Sequence, residues 1–205
     1  MKKLILILMM LITVSAFATK GSGKLEIGDK AVLTDVKMTD VSGKQISLND
    51  VKGENGVLVV FSCNTCPFVG RWESRYPEIK AFADKNNVGM VVVNSNYQKR
   101  DGEESLEEMK KHASAKNYDF YYAVDHDSRL ANAFGGQTTP HAFLFNSKME
   151  LVYKGAIDDN YESADKVKDA YVKNAITSIA NGAEVAISET KPVGCSIKRK
   201  TSQEL

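Results

Sequence analysis

Apolar and polar positions change their period along this chain, and the changes divide it into elements. Residues 31–48 alternate on both sides of Ser42-Gly43, the period-two pattern of a β-hairpin around a tight turn. Residues 57–61 are apolar at every position, as in a strand buried on both faces. From Phe68 the period lengthens: Phe68, Val69, Trp72, Tyr76, Ile79 and Phe82 recur at three- and four-residue steps, which predicts a helix with one face against a sheet. Pro77 falls inside that pattern and predicts a kink. Residues 89–93 read as a strand, and Asp101, three positions before Glu104, reads as a capping box opening a helix to about Lys116.

The second half continues with a strand over 120–124 and a short helix over 128–134 that ends at Gly135-Gly136. A strand over 141–145 pairs with 151–154 across a turn at Asn146 and Ser147. A last helix is expected over 163–180, with Val167, Ala170, Tyr171, Asn174, Ile176 and Ile179 near one face. Strands that alternate with helices early and pair as a hairpin late imply an α/β fold, a central mixed sheet flanked by helices.

The N-terminus changes the picture of where the protein works. Lys2 and Lys3 precede an apolar stretch over 4–14, then Ser15, Ala16, Phe17 and Ala18, the order of regions in a signal peptide. Cleavage is expected after Ala18, leaving 19–205 as one domain in a periplasmic or secreted location. The apolar stretch is short for a membrane span of about 20 residues, so the mature chain is not expected to be embedded in a membrane. The full chain carries 27 Lys and Arg against 26 Asp and Glu. So even a balance gives no footprint for nucleic acid.

The candidate chemistry lies where the fully apolar strand meets the helix, at Cys63, Asn64, Thr65, Cys66 and Pro67. A helix N-terminus favours a thiolate, which is expected to make Cys63 the nucleophile, and a second thiol about one turn on can resolve a mixed disulfide. Pro67 suits a first helical turn, where its missing N–H removes no bond. A zinc site needs about four ligands, and beyond the pair the chain offers only Cys195, His112, His126 and His141 in no second paired spacing. A permanent staple over so short a loop removes little unfolded-chain entropy. Cys195 is the odd thiol, expected to be a buried small side chain rather than an electron relay. The basic residues beside it, Lys198, Arg199 and Lys200, read as a solvated end.

Four segments, "FSCNTCPFV", "GGQTTPHAFLF", "YKGAIDDNY" and "TKPVGCSI", together resemble the thioredoxin-like redoxins, in particular the exported members grouped with alkyl hydroperoxide reductase and thiol-specific antioxidant proteins. The resemblance spans about 27–197. It implies a thioredoxin-like fold with an N-terminal β-hairpin and a C-terminal extension. It also implies a CxxC thiol-disulfide oxidoreductase in which Cys63 attacks, Cys66 resolves, and Pro140 follows a cis bond facing them. With that bend, the Thr139 backbone is expected to stand free for an extended protein substrate. Partners are protein thiols or disulfides and a redox donor or acceptor that the chain does not identify; no cofactor is implied.

The chain departs from the family pattern in two respects. Thioredoxins carry a buried acid in the strand before the cysteines, and residues 57–61 have none, so Asp125, His126 and Glu73 are the candidate proton acceptors for Cys66. Peroxiredoxins place a threonine three residues before the peroxidatic cysteine, and Val60 stands there when the count starts from Cys63. A thiol-dependent peroxidase is therefore an alternative without a peroxide site. Another is a Cu(I) carrier in which Cys63, Cys66 and His141 hold the ion, since soft sulfur and imidazole ligands suit it.

Overall fold

A computed structural model describes residues 24–200 of the 205-residue chain. The proposed leader and its cleavage after Ala18 lie outside the described residues.

The fully apolar run becomes β3 (Gly56–Ser62), every residue of it buried. It runs parallel to β4 (Val88–Asn94) and antiparallel to β7 (His141–Asn146). Outside β4 lies β5 (Tyr121–Val124), in parallel, and then the hairpin of β1 (Met38–Asp40) and β2 (Gln45–Ile46); β8 (Leu151–Gly155) closes the other side. The seven-stranded sheet thus has the order β2-β1-β5-β4-β3-β7-β8 and mixes parallel with antiparallel pairs.

The reason β3 has no polar face is visible in its two sides. Leu58 and Val60 pack with Trp72, Tyr76, Ile79, Met109 and Ile176, whereas Val57, Val59 and Phe61 pack with Leu48, Leu130, Phe134 and Phe143. Helices therefore cover both faces. On the first face lie α2 (Pro67–Trp72), α3 (Tyr76–Lys85), α4 (Leu106–Ala115) and α6 (Tyr171–Ala180). On the second lie the short α1 (Leu48–Val51) and α5 (Arg129–Phe134). Gly135 ends α5 in the left-handed region at φ 72°, where a glycine carries no Cβ penalty.

Several expected boundaries shift. The hairpin is confined to 38–46, and α1 follows it under a Ser47–Asp50 capping box. The helix expected to kink at Pro77 is interrupted instead: α2 stops at Trp72, a 3-10 turn spans Glu73–Arg75, and α3 restarts with Pro77 in its first turn, where no N–H is needed. The expected Asp101 cap is absent. Ser105 caps α4, its hydroxyl accepting the Glu108 N–H, and Glu104 is released for another task. The last helix begins at Tyr171, preceded by a 3-10 turn at Ala164–Lys166 and extended chain. Ahead of that chain Asp158 is buried between the Trp72 indole N–H, which it accepts at 2.9 Å, and the Arg75 guanidinium.

Candidate functional site

β3 ends at Ser62, at the C-terminal end of a central strand, and the four residues 63–66 turn the chain into α2, which begins at Pro67 with Cys66 as its N-cap. The helix onset therefore acts on Cys66, three residues beyond the sulfur on which it was expected to act. The Cys66 thiol donates to the Thr139 carbonyl at 3.1 Å and to the Cys195 sulfur at 2.7 Å. Its hydrogen bond with Cys63 is the main force that lowers its pKa; burial works against it, the Cys195 contact and the Val69 N–H of the first turn add to it, and the Cys66 pKa falls to about 4. Cys63 moves the other way, its thiol held protonated by its bond to Cys66, by burial and by the charge of Glu104. Cys195, partly buried and hydrogen-bonded to Cys66, is pushed up to about 11. The bond between the two thiols thus favours one thiolate in the pair.

One wall of this junction is a side chain that the sequence reading assigned to a cap. Glu104 is fully buried and accepts from the Asn64 N–H at 2.8 Å, the Thr65 N–H at 3.3 Å, the Thr65 hydroxyl at 2.8 Å and the Asn94 amide at 2.7 Å. Asn64 is held further by Tyr122, whose hydroxyl donates to its side chain at 2.9 Å. The residues between the two cysteines are therefore fixed in place by an acid forty positions downstream. Residues 57–61 carry no acid, and this carboxyl group comes from the loop before α4.

The other wall is built around the Thr139–Pro140 bond, which is cis. Thr139 is buried, its hydroxyl 3.2 Å from the Cys63 sulfur. Its backbone, however, is not free. Thr138 and Thr139 form β6, which pairs antiparallel with β9 (Cys195–Ser196), Thr139 opposite Cys195. The Cys195 sulfur lies 2.7 Å from that of Cys66. The spare cysteine is thus a member of the sulfur cluster and not an isolated small side chain. The basic tail is likewise anchored: the Gln98 N–H donates to the Lys198 carbonyl at 3.1 Å, Lys200 pairs with Asp127, and Arg199 reaches Asn132 and the Gly136 carbonyl. Both Cys63 and Cys66 are nearly covered, at 2% and 6% exposure.

The remaining candidates serve elsewhere. Asp125 accepts from the Leu130 and Ala131 N–H groups at the start of α5 and from Ser95. Glu73 binds His112, Lys116 and Tyr118; burial works to raise its pKa, but these partners outweigh it and hold the pKa at about 2. His126 contacts Thr39. His141 is buried, accepts the Gln137 N–H at Nδ1, packs on Phe143, and is kept neutral down to a pKa of about 3 by burial and by Lys154 and Lys24. Its contacts face away from the sulfurs, and among the described residues no cluster of three His, Cys, Asp or Glu side chains is arranged to hold a metal ion. Val60 lies in the core between sheet and helices. Among the described residues, no helix is long and apolar enough to cross a membrane.

A mixed sheet that ends in a cysteine pair beside a cis proline defines a thioredoxin-like redox fold. The model of the AhpC/TSA family matches residues 27–154, well over half of the chain, and the protein belongs to that family. An uncharacterized conserved protein from Geobacillus kaustophilus is 30% identical, with a TM-score of 0.80 over 88% of this chain and 96% of that one. A hypothetical protein from Sinorhizobium meliloti is 27% identical, with a TM-score of 0.79 over 88% and 98%. The thioredoxin domain of a thiol-disulfide oxidoreductase from Bacteroides vulgatus shares the fold, with a TM-score of 0.52 at 21% identity over 64% and 89%. No curated protein matches the chain.

Proposed function

We propose that the protein is a thiol-disulfide oxidoreductase of an exported compartment, exchanging disulfides with extended protein segments. The observation that carries this reading is the cysteine pair at the end of β3, with the Thr139 hydroxyl 3.2 Å from the Cys63 sulfur and the Thr139 carbonyl 3.1 Å from that of Cys66, and with a shared hydrogen bond that favours one thiolate in the pair. A sulfur ionised at neutral pH attacks a disulfide readily and also leaves readily, and both properties are needed for a cycle.

Cys63 attacks one sulfur of a substrate disulfide as its proton passes to Cys66; the Cys63–substrate bond forms as the substrate bond breaks, and the electron pair leaves on the departing substrate sulfur. Cys66 then attacks the Cys63 sulfur, the Cys63–Cys66 bond forms, and the substrate's second sulfur departs and takes up the proton that Cys66 gives up. Read backwards, the same steps oxidise a substrate dithiol. Thr139, with its hydroxyl at Cys63 and Pro140 beside it, is the residue against which a substrate strand aligns when β9 gives up that edge.

Insulin reduction with dithiothreitol as donor tests the assignment. The wild type should accelerate it, Cys63→Ser should fall sharply below the wild type, and Cys66→Ser should accumulate a mixed disulfide through Cys63. Undiminished turnover by Cys63→Ser would defeat the reading.

A further inference from the structure

The two sulfurs of the pair are nearly covered, and what covers them is part of the chain itself. β9 occupies the edge of Thr138–Thr139 in the antiparallel manner in which an extended substrate would lie, and it sets a cysteine opposite Thr139. The fit is specific. A Cβ at Gly194 would lie 2.2 Å from the Thr139 carbonyl oxygen, so only glycine lets the strand approach this closely. Beyond Cys195, Ile197 is buried in the core and its N–H donates to the Gln137 carbonyl at 3.1 Å, while the Lys198 N–H donates to the Asn96 side chain at 2.9 Å. The strand thus holds Cys195 in register. Its sulfur is 2.7 Å from Cys66, against about 2.05 Å in a disulfide, and it is the most exposed of the three.

We infer that Cys195 is a third exchanging thiol, and that Cys66 alternates between disulfides with Cys63 and with Cys195 while β9 sits in the substrate's place. This rests on the oxidoreductase reading above. Starting from the Cys63–Cys66 disulfide, the Cys195 thiolate attacks the Cys66 sulfur. The Cys66–Cys195 bond forms, the Cys63–Cys66 bond breaks, and the electron pair leaves on Cys63, which takes the proton that Cys195 gave up. The step is an isomerisation with no net change in oxidation state. Its consequence is access. In the Cys66–Cys195 form, an incoming substrate thiolate meets the half-exposed Cys195 sulfur and expels Cys66, the thiol that leaves most readily because its pKa is lowest. A second thiol of the same substrate then attacks the substrate sulfur bound to Cys195 and releases Cys195, so that a substrate dithiol leaves as a disulfide.

The test is disulfide mapping after oxidation of the purified protein with oxidised glutathione, acid quenching and alkylation. In Cys63→Ser the free thiols should fall from two to none, with a Cys66–Cys195 peptide recovered. In Cys66→Ser the remaining two thiols should stay unpaired with each other. The wild-type map should contain both linkages. If Cys63→Ser does not fold, the wild type decides alone: a map with only Cys63–Cys66 and Cys195 fully alkylated overturns the inference. So does Cys63→Ser keeping both thiols, or Cys66→Ser forming a Cys63–Cys195 bond as readily. Insulin reduction by the wild type separates the two claims, since turnover with Cys195 always free sinks this inference and spares the oxidoreductase reading, whereas a Cys66–Cys195 bond without turnover does the converse.

Discussion

The two walls of the cysteine junction are made by opposite means. On the Glu104 side, one buried carboxyl group gathers two backbone N–H groups, a hydroxyl and the buried Asn94 amide. On the β9 side, a two-residue strand near the end of the described chain is held by ladder bonds, one buried isoleucine and a few tail contacts. Hydrogen bonds to a charged acceptor contribute about 1.5–3 kcal/mol each and ordinary backbone bonds about 1 kcal/mol, so the first wall is fixed and the second can be displaced. The contrast is what disulfide exchange requires. The loop that holds the sulfurs must keep its geometry, while the surface along which a substrate lies must be able to open.

Breaking the fixed wall should have the largest effect. Glu104→Ala takes the acceptor away from the Asn64 and Thr65 N–H groups and from the buried Asn94 amide, at about 1–3 kcal/mol for each donor that finds no substitute. Allowing for relaxation, a loss on the order of 3–5 kcal/mol is expected in chemical denaturation. The charge that helps keep Cys63 protonated goes with it, so Cys63 should also become easier to alkylate. An unchanged denaturation midpoint would mean that the 63–66 loop is held by something other than Glu104.

Opening the detachable wall should cost less stability and change reactivity more. In Gly194→Val the new side chain collides with the Thr139 carbonyl, β9 leaves β6, and the Ile197 side chain loses its burial. Stability should fall by about 2 kcal/mol, the value of one such apolar side chain with the loss of a few neutral bonds offset by water. Alkylation of Cys66 by iodoacetamide should rise by about tenfold, which corresponds to removing an opening cost of about 1.4 kcal/mol. Alkylation no faster than in the wild type would show that β9 does not control access to Cys66.

The same contrast separates what could be read in the sequence from what could not. β3, the helix onset near Pro67 and the late hairpin were legible because each rests on neighbours in sequence: a strand covered on both faces, a proline in a first turn, two strands across a short loop. Glu104 was misread because its local pattern, three residues after Asp101, is that of a capping box, and nothing nearby shows that its oxygens are used by Asn64 and Thr65. Cys195 was misread for a similar reason, since its partner lies 129 residues earlier and the pairing of β9 with β6 leaves no periodic trace over two residues. The start of the last helix was placed too early because Val167 fits a helical face, while residues 164–166 close a 3-10 turn and the Asp159 N–H is bonded to the Asp169 carbonyl across the loop.

Acid titration sharpens the comparison on a smaller scale. Cys66 has its pKa depressed from about 9 to about 4, so its ionisation stabilises the reduced fold fully above about pH 9 and that contribution is lost as pH falls through about 4. Cys195, raised to about 11, has the opposite sign: its contribution is present below about pH 9 and disappears as pH rises through about 11. In the wild type the rate of Cys66 alkylation, corrected for the reagent, should therefore be flat from about pH 6 to 8 and fall below about pH 4. In Gly194→Val, where the contact with Cys195 that helps lower the Cys66 pKa is lost, the fall should move to higher pH. An inflection near the ordinary thiol value in the wild type would contradict the assignment of the ionised sulfur to Cys66.

The smallest effect separates the fixed wall from the helix that carries it. Ser105 caps α4 directly after Glu104, its hydroxyl accepting the Glu108 N–H at 3.3 Å. Removing the cap in Ser105→Ala should cost about 1 kcal/mol, within the range for such substitutions at helix starts. Two arrangements predict different companions to that loss. If the cap sets the position of Glu104, fraying the first turn of α4 frees the carboxyl group, and the Cys66 alkylation profile shifts as the 63–66 loop relaxes. If Glu104 is held by its own four partners, the turn frays beneath it and the profile stays where it was. The bonds to Glu104 are individually shorter than the 3.3 Å cap bond in three cases of four and the carboxyl group itself is fully buried, so the second outcome is expected: lower stability at an unchanged Cys66 profile. A shift in the profile equal to that of Glu104→Ala would make the cap, rather than the carboxyl group, the element on which the junction depends.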